Sequence, residues 1–245
     1  ETWYDDKYWQ GQKTYQTADG RSDLYHGPGL QWEGFMAIGD ALAPLLPGKS
    51  LLDIGCGGGD LAARFLDKQY DAYGIDISKF AIQNCTPSMR GRLSREDITK
   101  CPAELWAYHG DWKGYSSEHK NLPNTYDVVM ATDLLEHIYE ADLDRTFDWI
   151  VSKTNRWLFF CVAVADGEEF VHVKGEDVPL RWEGCAVSGH VNVRNWRYWA
   201  RYFKTSKLKI RWDLMYLFQL EREKNKPWKA TGGWDMPSTW ILQKD

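Results

Sequence analysis

The fold of this chain is decided by residues 51–61, which read Leu51-Leu52-Asp53-Ile54-Gly55-Cys56-Gly57-Gly58-Gly59-Asp60-Leu61. An apolar run ends in Asp-x-Gly-x-Gly-x-Gly, and a helical pattern continues from Asp60 to Lys68. Glycine permits a tight turn and lets a ligand approach the main chain closely. The pattern therefore predicts a strand, a ligand-binding turn and a helix, in that order.

A second strand is predicted a short distance further on. The apolar residues Ala72–Ile75 end in another carboxylate, Asp76, 23 residues after Asp53. An acid at the tip of the second strand is where a βαβ nucleotide site holds a ribose. The glycines do not follow the G-x-G-x-x-G spacing of a dinucleotide site. The two strands together predict a nucleotide site of another kind.

Three motifs connect the chain to a known family. The Asp-x-Gly-x-Gly-x-Gly run resembles the first motif of the class I S-adenosylmethionine (SAM) methyltransferases. Residues 73–78 resemble the second motif, and residues 126–138 resemble the fourth strand and the turn after it. The motifs occur in the family's order over roughly residues 48–160. The resemblance implies a Rossmann-like α/β sandwich, with a mostly parallel seven-stranded sheet and an antiparallel C-terminal hairpin. A Rossmann-like domain for another nucleotide is the alternative.

The chain divides into two regions by composition and pattern. Residues 1–47, rich in aromatic residues at their start, are predicted to form an N-terminal lid and a helix. Residues 48–245 are predicted to form the SAM-binding methyltransferase domain. Substrate-facing insertions are expected at about 101–124 and 165–192, because loops of such a scaffold usually carry specificity.

The remaining strands follow from short apolar runs. A third strand is predicted over residues 93–98, ending at Asp97-Ile98, and a fourth over residues 126–131. Near the C-terminus, residues 208–220 and 238–243 are predicted to form the two strands of the hairpin.

Composition limits the class of protein. The 245 residues are 43% hydrophobic, which suffices for one large α/β domain. No run of eighteen apolar residues predicts a membrane span, and the polar and aromatic start does not resemble a signal peptide. Five cysteines without a C-x-x-C pair indicate a reducing compartment and argue against a zinc site. A cytoplasmic location is expected.

Charge is distributed unevenly along the chain. Residues 1–150 carry 14 basic and 24 acidic residues, whereas residues 151–245 carry 16 and 11. No acid lies between Glu183 and Asp213, a stretch that contains Arg194, Arg197, Arg201, Lys204, Lys207, Lys209 and Arg211. The favoured interpretation is the solvated face of an amphipathic helix, because Trp196, Trp199, Ala200 and Phe203 have helical spacing. A polyanion-binding surface is the alternative.

The resemblance also implies which residues bind the cofactor. Asp53 and the backbone of Gly55, Cys56 and Gly57 would surround the methionine part, Asp76 would bind both ribose hydroxyls, Ile77 would pack on the adenine, and Asp97 followed by Ile98 would meet the adenine amino group. Asp133 and Leu134, after the fourth strand, complete the predicted set. Asp111 is the alternative to Asp97.

The segment after the fourth strand supplies the candidate base. His137 is the first candidate because it follows the strand whose end should face the methyl group. His190 is the second candidate, and His172 and His26 are reserves. Asp133, Glu136 and His137 would share one face if a helix began at Asp133. That arrangement resembles the E-x-x-E-H metal sites of some O-methyltransferases, but we expect no metal here.

The predicted function is transfer of a methyl group from SAM to an oxygen or nitrogen of a small molecule, a sugar or a peptide side chain, with oxygen favoured. Modification of a natural product is typical of this class. Residues 132–135 lack the Pro-Pro segment of enzymes that methylate base amines in DNA, so nucleic acid is not the expected substrate. The alternatives are an RNA or polyanion methyltransferase using residues 194–211, and a SAM-binding partner protein without catalysis. No oligomeric state is predicted.

Overall fold

The computed structural model describes residues 6–10, 12, 14–16, 22–24, 33–107, 122–164, 170–173, 176–179, 192–224 and 238–245. The α-helices are α1 (Asp6–Trp9), α2 (Glu33–Leu42), α3 (Asp60–Asp67), α4 (Lys79–Gln83), α5 (Glu140–Lys153), α6 (Trp196–Thr205) and α7 (Trp212–Lys224). The strands are β1 (Thr14–Gln16), β2 (Ser22–Leu24), β3 (Ser50–Ile54), β4 (Asp71–Asp76), β5 (Leu93–Arg95), β6 (Tyr126–Thr132), β7 (Thr154–Cys161), β8 (Phe170–Val173), β9 (Glu176–Pro179), β10 (Lys209–Ile210) and β11 (Thr239–Gln243). Short 3₁₀ helices cover Pro87–Met89, Ile98–Lys100 and Leu135–His137.

Seven strands form one sheet in the order β10-β11-β7-β6-β3-β4-β5. Strands β3 to β7 run parallel to their neighbours in this group, whereas β11 is antiparallel to both β7 and β10. The predicted fold class, a mostly parallel seven-stranded sheet with an antiparallel C-terminal pair, is confirmed. Helix α7 lies between β10 and β11 in the sequence, so the pair is not a tight hairpin.

Strand β3 lies inside the sheet because its sequence is apolar on both faces. Leu51, Leu52 and Ile54 are completely buried. Parallel strands covered by helices on both sides typically have such continuous apolar runs. The polar exception is Asp53, which is 1% exposed. The position of β3 brings the glycine turn to the edge where the parallel strands end, beside the end of β4.

The prediction of a strand over residues 208–220 is wrong beyond its first residues. Strand β10 covers only Lys209–Ile210, and α7 begins at Trp212. Met215 and Phe218 are both buried, and Phe218 packs edge-on against Phe159 of β7 with ring centroids 5.4 Å apart. Residues three apart share a face of a helix but point to opposite faces of a strand, so the helix allows both side chains to enter the core.

Part of the basic segment forms the predicted amphipathic helix, α6, whereas Arg194, Lys207, Lys209 and Arg211 lie outside that helix. In α6, Trp199 and Phe203 are buried, and the ring of Phe203 stacks on Phe160 at 5.2 Å. Arg197 and Arg201 are exposed on the other side. This arrangement confirms the favoured interpretation, the solvated face of a packed helix, for the part of the segment that lies in α6.

The predicted boundaries at residues 47 and 48 stay predictions. The insertion at about 101–124 lies mostly outside the described residues, and that at 165–192 is described only at the backbone of β8 and β9 and at Asn192. Among the described residues, no helix combines the length and the apolar character needed to cross a membrane.

Candidate functional site

The glycine turn after β3 has a backbone that only glycine adopts readily. Gly55, Gly57 and Gly59 have φ of +78°, +53° and +83°. The amides of Gly55 and Cys56 both donate to the carbonyl of Ile75, at 2.8 and 3.0 Å, which holds the turn against β4. Left-handed backbone of this kind is strained for residues with a Cβ. The motif residues therefore form the turn that their sequence predicts.

Asp76 at the end of β4 is held by main-chain amides. One carboxylate oxygen, Oδ2, accepts from the amide of Gly57 at 2.8 Å, and Oδ1 accepts from the amide of Ser78 at 2.7 Å. Burial raises the pKa of Asp76, although these amide bonds act in the opposite direction. Each carboxylate oxygen can accept more than one hydrogen bond, so both retain capacity for a ligand hydroxyl.

Asp53 is a buried acid whose carboxylate is incompletely paired. Its Oδ1 has no hydrogen-bond partner among the described residues. Burial, followed by the nearby carboxylates of Asp76 and Asp60, raises the pKa of Asp53 to about 7. A buried acid in this state gains stability from a cation placed beside it.

A cavity of about 350 Å³ opens beside these strand ends, within the size range of small-molecule sites. Among the predicted site residues, its wall contains Gly55, Asp76, Ile77, Asp97, Ile98, Asp133, Leu134 and His137. Asp53, Cys56 and Gly57 are not part of this wall, and they lie in β3 and the turn beneath it. His190 and His26 lie outside the described residues, as does the side chain of His172.

Asp97 lies on the cavity wall as the N-cap of a 3₁₀ helix, two residues after β5 ends. Its Oδ1 accepts from the amide of Thr99 at 3.1 Å and from the hydroxyl of Thr99 at 2.6 Å. Burial acts to raise the pKa of Asp97, but the bonds from Thr99 and from Lys100 outweigh it and lower the pKa. Asp111 lies outside the described residues, so the choice of Asp97 stays a prediction.

The segment after β6 does not form the helix on which the metal alternative depended. Asp133 has a φ of +49°, and the 3₁₀ helix begins only at Leu135. Asp133 is exposed and His137 is half-buried, whereas Glu136 is fully buried and accepts from the amide of Ala163 at 3.0 Å. The three side chains therefore do not share a face. Within the described ranges, no three His, Cys, Asp or Glu side chains form a group that could hold a metal ion.

Several cavity residues were not predicted from the sequence. They are Tyr8, Trp9, Ile75, Glu96, Thr99, Ile138, Tyr139 and Asp142. Trp9 covers the turn, because a Cβ at Gly57 would lie 2.8 Å from the Cη2 atom of its ring. The aromatic start of the chain was the available signal for Tyr8 and Trp9. For Tyr139 the signal was its position directly after the fourth-strand motif.

The sheet order, the glycine turn and the clamped acid at the end of β4 define a class of protein: an α/β domain of the class I methyltransferase type. A family model described as a methyltransferase domain matches residues 33–211, and the chain belongs to that family. The resemblance to the class I SAM-dependent methyltransferases is confirmed.

Two relatives and one solved structure illustrate the similarity. The mitochondrial ubiquinone biosynthesis O-methyltransferase of Schizosaccharomyces pombe is 31% identical over 132 residues, covering 51% of this chain and 42% of that protein. The ubiquinone biosynthesis O-methyltransferase of Bordetella parapertussis is 27% identical over 139 residues, covering 56% and 52%. The chain thus spans about half the length of these curated relatives. A SAM-dependent methyltransferase from Clostridium acetobutylicum has the same fold, with a TM-score of 0.51, 13% identity and coverage of 87% and 92%.

Proposed function

We propose that this protein transfers a methyl group from SAM to an oxygen of a small molecule, with nitrogen, a sugar or a peptide side chain as further acceptor classes. The observation that carries the proposal is the carboxylate of Asp76. The amides of Gly57 and Ser78 hold it at the end of β4, and it faces the 350 Å³ cavity with unused acceptor capacity. An acid so placed suits the two hydroxyls of a ribose.

The charges around the cavity suit the rest of the cofactor. SAM carries a sulfonium and an ammonium group, and acids on the wall include Asp76, Asp97 and Asp133. Asp53 lies beneath, and its unpaired Oδ1 would accept from a cationic donor. The Trp9 ring on the wall could add cation–π attraction to the sulfonium.

The chemistry requires little from the protein beyond alignment and a base. When bound, SAM supplies a methyl group that its sulfonium makes electrophilic. The protein must align the acceptor and exclude water. His137 lies on the same cavity wall as Asp76 and is proposed to take the proton from an acceptor hydroxyl. His190 is the second proposed base.

The names of the relatives support oxygen as the acceptor atom, since both are O-methyltransferases of ubiquinone biosynthesis. A cytoplasmic location also stays a proposal.

Two of the exposed basic residues of the polyanion alternative, Arg197 and Arg201, lie on the outer face of α6. Methylation of RNA is therefore one outcome that competes with this proposal. A SAM-binding role without catalysis is the other.

The proposal is tested by calorimetric titration of SAM into the wild type, Asp76→Ala and Asp67→Ala. Asp67 is an exposed acid of α3 that pairs with Arg64, so it is a matched control. We expect micromolar binding to the wild type and the control. Asp76→Ala should weaken it at least about 100-fold, or about 2.7 kcal/mol.

The acceptor class is tested next, by transfer of labelled methyl from SAM to a panel of phenols, catechols and amines. Transfer to phenols or catechols supports the proposal. Transfer only to RNA favours the polyanion alternative, and binding without any transfer favours the non-catalytic role. Absence of SAM binding to the wild type overturns the proposal.

A further inference from the structure

The chain leaves the sheet after β7 and later returns to the same place. Residues 165–191 separate the two ends of this excursion, which we call the β7 insertion. Val164 on the way out forms a parallel bridge with Arg194 on the way back. Ala163 and Val193 are buried and form a small cluster of their own. The two ends of the insertion are therefore joined at one point beside the sheet.

Glu136 contacts both ends at this point. Its side-chain Oε1 accepts from the amide of Ala163 at 3.0 Å, on the outgoing end. Its backbone carbonyl accepts from the amide of Asn192 at 2.9 Å, on the returning end. Glu136 immediately precedes His137 in the chain, and His137 lies on the cavity wall. One residue thus links the insertion to the segment that carries the proposed base.

Glu136 makes these contacts from a fully buried position. The residue is 0% exposed, and its Oε2 has no hydrogen-bond partner among the described residues. Burial, with the carboxylate of Asp133 nearby, raises the pKa of Glu136 well above its ordinary value. The side chain accepts an amide hydrogen bond in the interior, and burial disfavours the charged form that would bind a divalent cation.

The returning end is also fastened to the rim of the cavity. Arg194 donates to the Oδ1 of Asn192 at 2.9 Å and to the Oε2 of Glu140 at 2.7 Å. Glu140 begins α5 and directly follows Tyr139, a residue of the cavity wall. The two ends of the insertion are therefore connected to the cavity wall in two ways. Glu136 is the chain neighbour of His137, and Glu140 is the chain neighbour of Tyr139.

We propose that Glu136 is a positioning residue that joins the two ends of the β7 insertion and sets them in place against His137. The consequence for acceptor binding rests on the methyl-transfer function proposed above. The joining itself does not rest on it, because it concerns hydrogen bonds within the chain. The two claims can therefore fail separately.

The test compares amide hydrogen exchange in the wild type, Glu136→Gln, Glu136→Asp and Glu136→Leu. Glutamine keeps a carbonyl oxygen for the Ala163 amide, aspartate is too short to reach it, and leucine removes it. Thr146→Val is the matched control, because Thr146 is a buried residue of α5 whose hydroxyl also has no partner among the described residues. The amide of Val162, which donates to the carbonyl of Ser238, is the internal reference.

We expect the Ala163 amide to exchange about 10-fold faster in Glu136→Leu, which corresponds to loss of one buried hydrogen bond. The Asn192 amide should also exchange faster, although its own acceptor is a backbone carbonyl that the substitution leaves intact. Glu136→Asp, which also loses this hydrogen bond, should accelerate exchange of both amides, and Glu136→Gln and Thr146→Val should match the wild type. Val162 should be unchanged throughout. If Glu136→Leu does not fold, the exchange rates of the Ala163 and Asn192 amides in Glu136→Asp and Glu136→Gln are compared instead. Faster exchange in the aspartate variant alone supports the proposal.

The proposal would be overturned if the Ala163 amide exchanged faster in Glu136→Leu while the exchange rate of the Asn192 amide did not change. The two ends of the insertion would then be independent of each other. Equal acceleration of all amides would also overturn it, because that indicates general destabilisation. Binding of Mg²⁺ by the wild type but not by Glu136→Gln would show a metal ligand instead.

The consequence for acceptor binding is read from kinetics with SAM and the best acceptor of the panel above. Glu136→Asp should raise the KM for the acceptor at least about 10-fold, while the Kd for SAM and kcat stay within about threefold. Rescue by Glu136→Gln is expected. A weaker Kd for SAM with an unchanged acceptor KM would contradict this consequence.

Discussion

The indole N–H of Trp9 donates to the hydroxyl of Ser78 at 2.9 Å, across 69 residues of sequence. The same hydroxyl is the N-cap of α4, where it accepts from the amide of Ala81 at 3.3 Å. Ser78 also donates its own amide to the carboxylate of Asp76. The N-terminal helix α1 is thereby attached to the turn that holds the proposed ribose acid.

This attachment predicts that Trp9 contributes to cofactor affinity. Trp9→Phe keeps an aromatic ring on the cavity wall but removes the donor to Ser78. Loss of one hydrogen bond of about 0.5–1.5 kcal/mol should weaken SAM binding by about 2- to 13-fold. Calorimetry measures the change, with Trp212→Phe as control because Trp212 is 49% exposed on α7. Equal affinities of Trp9→Phe and the wild type would show that α1 does not contribute to binding.

The buried carboxyl of Asp53 predicts a pH-dependent stability of the free protein. Its pKa is about 7 in the folded chain, against an ordinary value of 3.8. Below pH 3.8 the group is neutral in both states, and its contribution to stability is complete. As the pH rises towards 7, the unfolded chain ionises first, so up to about 4 kcal/mol of stability is lost.

Asp53→Asn should remove this loss, because an amide does not ionise. Its Tm should match that of the wild type near pH 4 and exceed it above pH 7, while its affinity for SAM falls. Thermal denaturation across pH 4–8 without ligand measures the first effect, with the exposed acid replaced in Asp67→Asn as control. If the Tm of the wild type and that of Asp53→Asn changed with pH in the same way, the raised pKa of Asp53 would be contradicted.

The position of His137 predicts a variant that binds the cofactor but transfers slowly. His137→Ala removes the proposed base and should lower kcat by about 10²–10⁴-fold for a hydroxyl acceptor. Binding of SAM should stay within about threefold, because the acid of β4 and the glycine turn are untouched. The comparison is Tyr139→Phe, on the same wall. If Tyr139→Phe abolishes transfer and His137→Ala does not, the base is Tyr139.

Close packing at Gly74 predicts a defect of stability. A Cβ at this position in β4 would lie 2.6 Å from the Sγ of Cys56 and 2.8 Å from Cδ2 of Leu93. Overpacking of this kind costs about 1–3 kcal/mol, so Gly74→Ala should lower the Tm by about 2–12 °C. The double variant Gly74→Ala/Cys56→Ala, which removes the nearest atom, should recover part of the loss. An unchanged Tm in the single variant would contradict the packing described here.

Much of the proposed cofactor site could be predicted, because the sequence patterns that indicate it are local. An apolar run that ends in glycines or in an acid specifies a buried strand and the turn after it. The turn after β3 and Asp76 at the end of β4 accordingly lie where the sequence predicts. Their assignment to SAM stays a prediction, supported by the family to which the chain belongs.

The errors arose where local patterns are ambiguous. Seven of the nine residues 212–220 are apolar, so periodicity does not distinguish a strand from a helix there. Packing of Met215 and Phe218 in the core decides in favour of α7. The spacing of Asp133, Glu136 and His137 would place them on one helical face. The left-handed backbone of Asp133 prevents this, and the amide of Ala163 draws Glu136 inward.

The sequence by itself determined the class of fold and the strand-end residues, since burial pattern, glycine and acid act within a few residues of one another. Only the tertiary structure decided which distant segments reach the cavity. Trp9 covers the glycine turn, and Glu136 joins the ends of the β7 insertion. Both depend on hydrogen bonds and ring contacts between residues that are far apart in the chain. Such contacts follow from the packing of whole elements, and no local pattern records them.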